Sequence, residues 1–434
     1  MLSELPVELL DLTFSFLDQD DTATWTALCT TSKLCQKLAT AYLYGKVNLS
    51  SSNDGLKGWA EHSELLAERV QLICRTFVEN MALAKLVETL VWPHLDDYYV
   101  ETNSSKEFQT LLIDDLKQRG LPRDFARTLA RYDTRSTLAV VVIHLCSEIN
   151  TLELTGVDGN TVDNLQLYMG QDSPDFHVGL KQVSHVRLHL YYGSSGRKTD
   201  NFDFFLRLPA LQSMVVSNVP RLNYVVRDIP FFDSSIKYLE LTHFKAHSDD
   251  LERLLRHCVN LEILRIQFTG DRFHRRLDYG GSGGIGNILR DNTQQLQHLE
   301  LDYEWEEPYP LSPMDLATNE HNPDYPLSGL GDLSPLKSLR RFRLAKSALL
   351  GTHHQDSLED EVGANHPITL ENAFPDSIEE VEIICPEKQF SADDMSLFQT
   401  PGVERLRNLT IFNCTKDRWA SKKYGEGCAS EQQS

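Results

Sequence analysis

The sequence predicts an α/β protein in which three N-terminal helices precede an irregular solenoid, with a curved parallel sheet and helices on its outer side. Three observations support this prediction. Residues 5–45 contain three short stretches with apolar residues at helical spacing. From residue 149 onward, a six-residue pattern of apolar positions recurs nine times. Segments with helical periodicity, such as 249–258, lie between copies of that pattern.

The composition is that of a globular protein with a large core. Of 434 residues, 41% are hydrophobic and 24% are charged. The 42 basic and 63 acidic residues give a net charge of -21. This balance argues against nucleic-acid binding, which depends on phosphate contacts from Lys and Arg. It is compatible with basic protein partners, although an acidic surface also serves solubility alone.

Cysteine usage and hydropathy indicate a soluble intracellular protein. The eight cysteines form no CxxC pair, and most lie in apolar stretches, which is typical of reduced thiols. We find no signal peptide at the N-terminus. The longest apolar run, 138–146, is far too short to span a bilayer. We therefore expect a cytoplasmic or nuclear protein without membrane contact.

The opening stretch LSELPVELLDLTFSFL, residues 2–17, predicts a helix that is apolar on two sides. At ~100° per residue, its apolar side chains form two nearly opposite groups. These are Leu5, Leu9, Leu12 and Phe16 on one face, and Leu10, Phe14 and Leu17 on the other. A surface helix needs only one apolar stripe. Either the helix lies inside the protein's own core, or a second protein covers one face.

Two further helices are predicted after it. Asp21 or Thr22 can cap the second helix, and Ser32 can cap the third. The expected inward residues are Trp25, Leu28 and Cys29 in the second helix, and Leu34, Leu38, Ala41 and Tyr42 in the third. Three such helices are too small to bury a satisfactory core alone.

The segments LPVELL, SFL, LCTTSK, LAT and YLYGKV together resemble the F-box motif, in the version common in fungal proteins, over residues 2–49. The resemblance implies docking on the Skp-type adaptor of a cullin–RING ubiquitin ligase, which would cover the second apolar face. Matched position by position, it assigns adaptor contacts to Leu5, Pro6, Leu9, Leu10, Leu17 and Leu28. The second helix departs from the motif, because TAT at 22–24 stands where leucines are often found. An intramolecular helical bundle without a partner is the alternative.

The recurring hexamer has apolar residues at its first, fourth and sixth positions. Its copies are INTLEL (149–154), VSHVRL (183–188), LQSMVV (211–216), IKYLEL (236–241), LEILRI (261–266), LQHLEL (296–301), LRRFRL (339–344), IEEVEI (378–383) and LRNLTI (406–411). VETLVW (87–92) resembles an outlying first copy. Successive fourth positions from Leu152 lie 25 to 43 residues apart. The shorter intervals match leucine-rich repeats, and the longer ones need insertions. The asparagine that usually follows the third apolar position is missing in most copies, so we expect an irregular solenoid.

These features divide the chain into four parts. They are the F-box at 1–49, a helical linker region at 50–148 with a possible first repeat near 87–92, a leucine-rich-repeat-like recognition domain at 149–413, and a C-terminal tail at 414–434. The polar segments 302–335 and 351–367 interrupt the repeats, and loops of this length are either functional or disordered.

The third and fifth hexamer positions should line the exposed concave face of the sheet. The fifth positions are Glu153, Arg187, Val215, Glu240, Arg265, Glu300, Arg343, Glu382 and Thr410. Their charges alternate with only Val215 interrupting, and strands ~4.8 Å apart would align them in one row. The row either neutralises itself and keeps the sheet soluble, or it binds a target. The target-binding candidates are Tyr238, Glu240, Ile263, Arg265, His298, Glu300, Arg341 and Arg343.

The sequence contains possible catalytic and metal-binding motifs, but none of them occurs in the structural context that its chemistry requires. The stretch 279–287 fits GxGxxG through Gly281, Gly283 and Gly286, and GxSxG through Gly280, Ser282 and Gly284. Both motifs need a buried strand directly before them, whereas GDRFHRRLD is too polar. We expect a flexible loop there, before a helix near 285–292. His353 and His354 lack ligand partners at zinc spacing. We therefore expect no catalytic residue, metal or cofactor.

The F-box resemblance implies that the protein is a non-catalytic substrate-recognition subunit of an SCF-type E3 ubiquitin ligase. The F-box would bind the Skp-type adaptor, and through it the cullin and RING subunits, while the repeats would bind a protein target of unknown identity. An interaction scaffold acting outside a ligase is the alternative. A nucleotide-dependent or hydrolytic enzyme using 279–287 is a third hypothesis.

Overall fold

The computed structural model describes residues 6–18, 21–49, 59–92, 106–118, 120–121, 123–131, 135–157, 159–169, 180–190, 202–219, 232–244, 248–269, 284–304, 330–345, 374–385, 408–415 and 418–424. They form a mixed α/β protein with parallel strands. The chain divides into two compact units, Met1–Leu211 and Gln212–Ser434.

Three helices open the first unit: α1 (Val7–Ser15), α2 (Thr22–Thr31) and α3 (Lys33–Gly45). The side chain of Asp21 accepts a hydrogen bond from the Thr24 N–H, and Ser32 accepts one from the Cys35 N–H. These two side chains are therefore the N-caps of α2 and α3, as their residue types predict.

The rest of the first unit alternates helices with four parallel strands that pair in chain order. The strands are β1 (Lys46–Asn48), β2 (Thr89–Trp92), β3 (Thr151–Val157) and β4 (His185–Leu190). The helices are α4 (Trp59–Glu79), α5 (Met81–Ala84), α6 (Lys106–Gln118), α7 (Arg123–Arg131), α8 (Arg135–Leu145) and α9 (Gly159–Met169), followed by a 3-10 helix, Phe202–Arg207.

The second unit continues the sheet with eight strands, and its described helices lie between the second and third and between the third and fourth of these strands. Its strands are β5 (Ser213–Ser217), β6 (Tyr238–Phe244), β7 (Ile263–Thr269), β8 (His298–Glu304), β9 (Arg341–Ala345), β10 (Glu380–Cys385), β11 (Asn408–Thr415) and β12 (Arg418–Tyr424). β5 to β11 pair in parallel, and β12 pairs antiparallel with β11. Helices α10 (Ser248–Arg256) and α11 (Ile285–Asn292) lie where the helical periodicity predicts them.

Every predicted hexamer contains a strand that begins at the hexamer's third position. This holds for the nine copies and for VETLVW, whose strand β2 begins at Thr89. The first hexamer positions are buried throughout the described copies: Val87, Ile149, Val183, Leu211, Ile236, Leu261, Leu296, Leu339 and Ile378. The side-chain pattern therefore sets where each strand starts as well as which face it buries.

A repeated backbone hydrogen bond holds the strands in a common register. The carbonyl oxygen of Gln212, at a second hexamer position, accepts from the N–H groups of Lys237 and Tyr238 at 2.8 and 3.0 Å. The same two-donor arrangement recurs at the carbonyls of Lys237, Glu262, Gln297 and Arg340, and in the first unit at those of Glu88 and Asn150. Backbone atoms alone thus align each strand start with the next.

The structure differs from the predictions at three places. β1 was not predicted: α3 ends at Gly45 and the strand begins at the next residue, with Val47 and Leu49 buried. β12 lies inside the predicted C-terminal tail. Ala41 is exposed rather than inward, because α3 buries Cys35 and Ala39 instead.

The two polar interruptions fall largely outside the described residues, at 305–329 and 346–373. Among the helices that the structure does describe, none combines the length and the apolar character that a membrane crossing requires.

Candidate protein-interaction surfaces

One face of α1 packs onto an aromatic cluster formed with α2 and α3. The Phe14 ring meets Trp25 edge-on with centroids 5.8 Å apart, and Trp25 stacks on Tyr42 at 4.8 Å. The Trp25 Nε1–H donates to the Asp18 carbonyl at 2.9 Å, and the Tyr42 hydroxyl donates to Asp11 Oδ1 at 3.0 Å. The polar atoms of both rings therefore have hydrogen-bond partners, and the cluster fixes how α1 lies on the other two helices.

The opposite face of α1 is uncovered. Leu9, Leu12 and Phe16 are 48%, 55% and 81% exposed, respectively, and we call these three side chains the α1 apolar face. They are the described members of the apolar group that the sequence places opposite the Leu10 and Phe14 face of this helix. Adjacent exposed apolar side chains are typical of a surface that binds another protein.

The residues assigned to adaptor contact differ in accessibility. Pro6 and Leu9 are exposed, while Leu17 and Leu28 are half-buried and pack against the Phe14–Trp25 core. Leu10 is fully buried, so it supports the helix from inside rather than presenting a surface. Leu5 lies outside the described residues.

The second surface is the outward row of fifth hexamer positions, and its predicted alignment is confirmed within each unit. In the first unit Glu153 pairs in register with Arg187. In the second unit the register runs through Val215, Glu240, Arg265, Glu300, Arg343, Glu382 and Thr410. We call the second-unit series the charged row.

Glu300 is more enclosed than the charged residues that it contacts in the charged row. Its side chain is only 14% exposed, and it lies between two arginines on neighbouring strands. Arg343 Nη1 donates to Glu300 Oε1 at 2.6 Å, and Arg265 Nε lies 3.0 Å from Glu300 Oε2. Arg343 Nε also lies 3.6 Å from Glu382 Oε2. These charges therefore compensate one another laterally across the strands.

The third hexamer positions form a neighbouring row in which Tyr238, Ile263, His298 and Arg341 align. Burial, followed by the positive charge of Arg265, lowers the pKa of His298. Burial and the hydrogen bond that its hydroxyl donates to Glu240 raise the pKa of Tyr238 to about 12. Both side chains are therefore neutral near pH 7.

Sequence reasoning did not identify two further ion pairs between consecutive hexamers, one at third positions and one at the second positions that precede the strands. Arg341 Nε lies 3.1 Å from Glu380 Oε2, and Lys237 Nζ lies 2.8 Å from Glu262 Oε1. The signal was present in the hexamers, because each pair occupies equal positions in consecutive copies with opposite charge. The structure thus brings most of the target-binding candidates into one network of charges.

The possible chemical sites gain no support from the described residues. In that part of the chain, no three His, Cys, Asp or Glu side chains are grouped as a metal site would need. The helix after the glycine stretch begins at Ile285, and residues 270–283, which include Ser282, lie outside the described part. Comparison with known protein families found no matching family. A search of curated proteins found no significant match.

Proposed function

We propose that the chain is a substrate-recognition subunit of an SCF-type cullin–RING ubiquitin ligase. The observation that carries the proposal is the uncovered α1 apolar face on a three-helix unit whose other side is tightly packed. It supports the role implied by the F-box resemblance of residues 2–49, in which a Skp-type adaptor would cover that face. Leu9, with Leu12 and Phe16 beside it, would provide the apolar contacts.

The proposed mechanism is proximity rather than covalent chemistry. The N-terminal helices would hold the adaptor, and through it the cullin and RING subunits. The outward rows of the strands would hold a target protein, raising its effective concentration near the ubiquitin-loaded enzyme. In this role the chain itself transfers nothing.

Replacing Leu9 and Leu12 with Ala tests the docking proposal. Fully burying one leucine contributes roughly 1.5–3 kcal/mol, and Leu9 and Leu12 are already about half covered in the free chain. Losing both should therefore weaken adaptor binding about tenfold to a hundredfold. The melting temperature should stay close to that of the wild type, because both side chains are exposed in the free chain. Isothermal titration with a purified Skp-type adaptor measures the affinity.

Leu72→Ala is the matched control, since Leu72 is a 62% exposed leucine on α4. It should leave adaptor affinity unchanged. Equal affinities for the double variant and the wild type would refute docking through this face.

An interaction scaffold that binds the adaptor outside a ligase is the competing function. Affinity purification of the intact chain separates the two, because cullin and RING subunits should co-purify only with a ligase subunit. Recovery of the adaptor alone would favour the scaffold.

A further inference from the structure

The charged row contains one glutamate without an arginine partner. The other fifth-position glutamates with described side chains each have an arginine within 4 Å. The pairs are Glu153 with Arg187 at 3.6 Å, Glu300 with Arg343 at 2.6 Å and Arg265 at 3.0 Å, and Glu382 with Arg343 at 3.6 Å. Glu240 is the exception within the described part of the chain.

The register explains why Glu240 differs. Its neighbours are Val215 on β5 and Arg265 on β7. Val215 carries no charge. The Arg265 guanidinium contacts Glu300 on the far side through Nε and donates from Nη1 to the Tyr238 hydroxyl at 3.3 Å, rather than to Glu240 itself. Among the described residues, Glu240 therefore accepts a hydrogen bond only from the Tyr238 hydroxyl, which is neutral. A half-buried carboxylate without a direct cation partner loses hydration, and one hydrogen bond from a neutral hydroxyl compensates only part of that loss.

We propose that Glu240 and Tyr238 are the docking position for an arginine or lysine side chain of a protein partner. The carboxylate has remaining acceptor positions for a charge-assisted hydrogen bond. Val215 and Ile263, which are uncharged and half-buried on the two flanking strands, would contact the aliphatic stem of the incoming side chain.

The chemistry of the whole chain favours the same class of partner. A net charge of -21 attracts basic segments and opposes acidic ones during encounter. The remaining glutamates of the charged row are already neutralised by arginines, so they offer no comparable position. The proposal rests on the proposed function only where it identifies this partner as the ubiquitination target, and it specifies a basic segment of that target.

Val215→Arg tests whether Glu240 has an open place for a cation. The new arginine would stand in register beside Glu240 and supply the missing charge from within the chain. Val91→Arg is the matched control, because Val91 aligns with Glu153, which already has Arg187. We expect Val215→Arg to melt about 1–4 °C above Val91→Arg. When Glu240→Gln is added to both variants, the difference in melting temperature should disappear. A difference that persists would overturn the proposal.

A binding assay tests the partner class directly. The probe is a fluorescein-labelled hexa-arginine peptide, with a hexa-citrulline peptide of the same length as its uncharged counterpart. Fluorescence anisotropy should show that Glu240→Gln and Val215→Arg each weaken hexa-arginine binding at least threefold. Citrulline binding should be weak for every variant.

Glu382→Gln is the control for general charge, because it removes the same charge from the same row. Equal weakening by Glu382→Gln and Glu240→Gln would mean non-specific attraction and would overturn the proposal. Adaptor affinity measured on the same variants should be unchanged. Failure of adaptor docking would refute the proposed ligase role without affecting the peptide result.

Discussion

Replacing Glu300 with Gln should destabilise the second unit more than the same substitution at Glu382. The variant keeps the size of the side chain and one carbonyl acceptor but removes the charge that Arg265 and Arg343 share. Glu300 is 14% exposed, whereas the Glu382 side chain is 42% exposed. Water should therefore compensate less for the lost charge interactions at Glu300 than at Glu382.

The magnitude follows from three contributions. The 2.6 Å hydrogen bond from Arg343 joins two charged groups, and such bonds contribute about 1.5–3 kcal/mol. The ion pair with Arg265 adds about 0.2–1 kcal/mol. The strands of the two arginines are about 9.6 Å apart across two strand spacings, and both guanidinium groups reach in to Glu300. The arginines would then repel by at least about 1.7 kcal/mol at an effective dielectric constant of about 20, or at least about 0.5 kcal/mol after screening by salt. Because Gln keeps part of the hydrogen bonding, we expect a net loss of about 2–3 kcal/mol.

Urea unfolding and thermal melting measure this loss. For a unit of this size, about 2–3 kcal/mol corresponds to a melting temperature lower by about 4–12 °C. The control, Glu382→Gln, should lose less than about 1 kcal/mol. The difference between Glu300→Gln and the wild type should shrink at about 1 M salt. Equal effects of the two substitutions would refute the argument that enclosure makes Glu300 the principal charge of the row.

Two further predictions concern the aromatic core and a titrating side chain. Phe14→Ala should lower the stability of the three-helix unit by about 3–5 kcal/mol, because Phe14 is 2% exposed against Trp25 and Tyr42. The loss of ordered packing around Trp25 should change the tryptophan signal in near-ultraviolet circular dichroism. An unchanged signal would contradict the contact between Phe14 and Trp25. His298 has a lowered pKa in the folded chain, so the unfolded chain binds protons more readily, and stability should fall as pH drops below the ordinary value of 6.5. Urea titrations from about pH 8 to about pH 5 should show a shallower fall for His298→Gln, and identical slopes would contradict it.

The strands were predictable because their information is local and repeated. A hexamer such as IKYLEL buries its first, fourth and sixth residues in the structure, as its sequence indicates. β1 was missed because YGKVNL has tyrosine at the first position and its strand spans only three residues. β12 was missed because RWASKKY has no alternating apolar pattern, and it pairs antiparallel with β11.

The candidate surfaces were predictable only in part. Helical spacing identified the second apolar face of α1, but spacing alone leaves open whether the chain covers it. Register predicted that Arg265 lies between Glu240 and Glu300, but not which carboxylate it would bind. Neighbouring strands are equally spaced on both sides, so side-chain conformation decides between them.

The two-donor hydrogen bonds at the second hexamer positions have a consequence for how such a protein can evolve. They use carbonyl and N–H groups, which every residue except proline retains. Mutation can therefore exchange the outward residues, including Tyr238 and Glu240, without shifting strand alignment. Descendants of one ancestral gene could acquire different binding preferences while inheriting the same backbone.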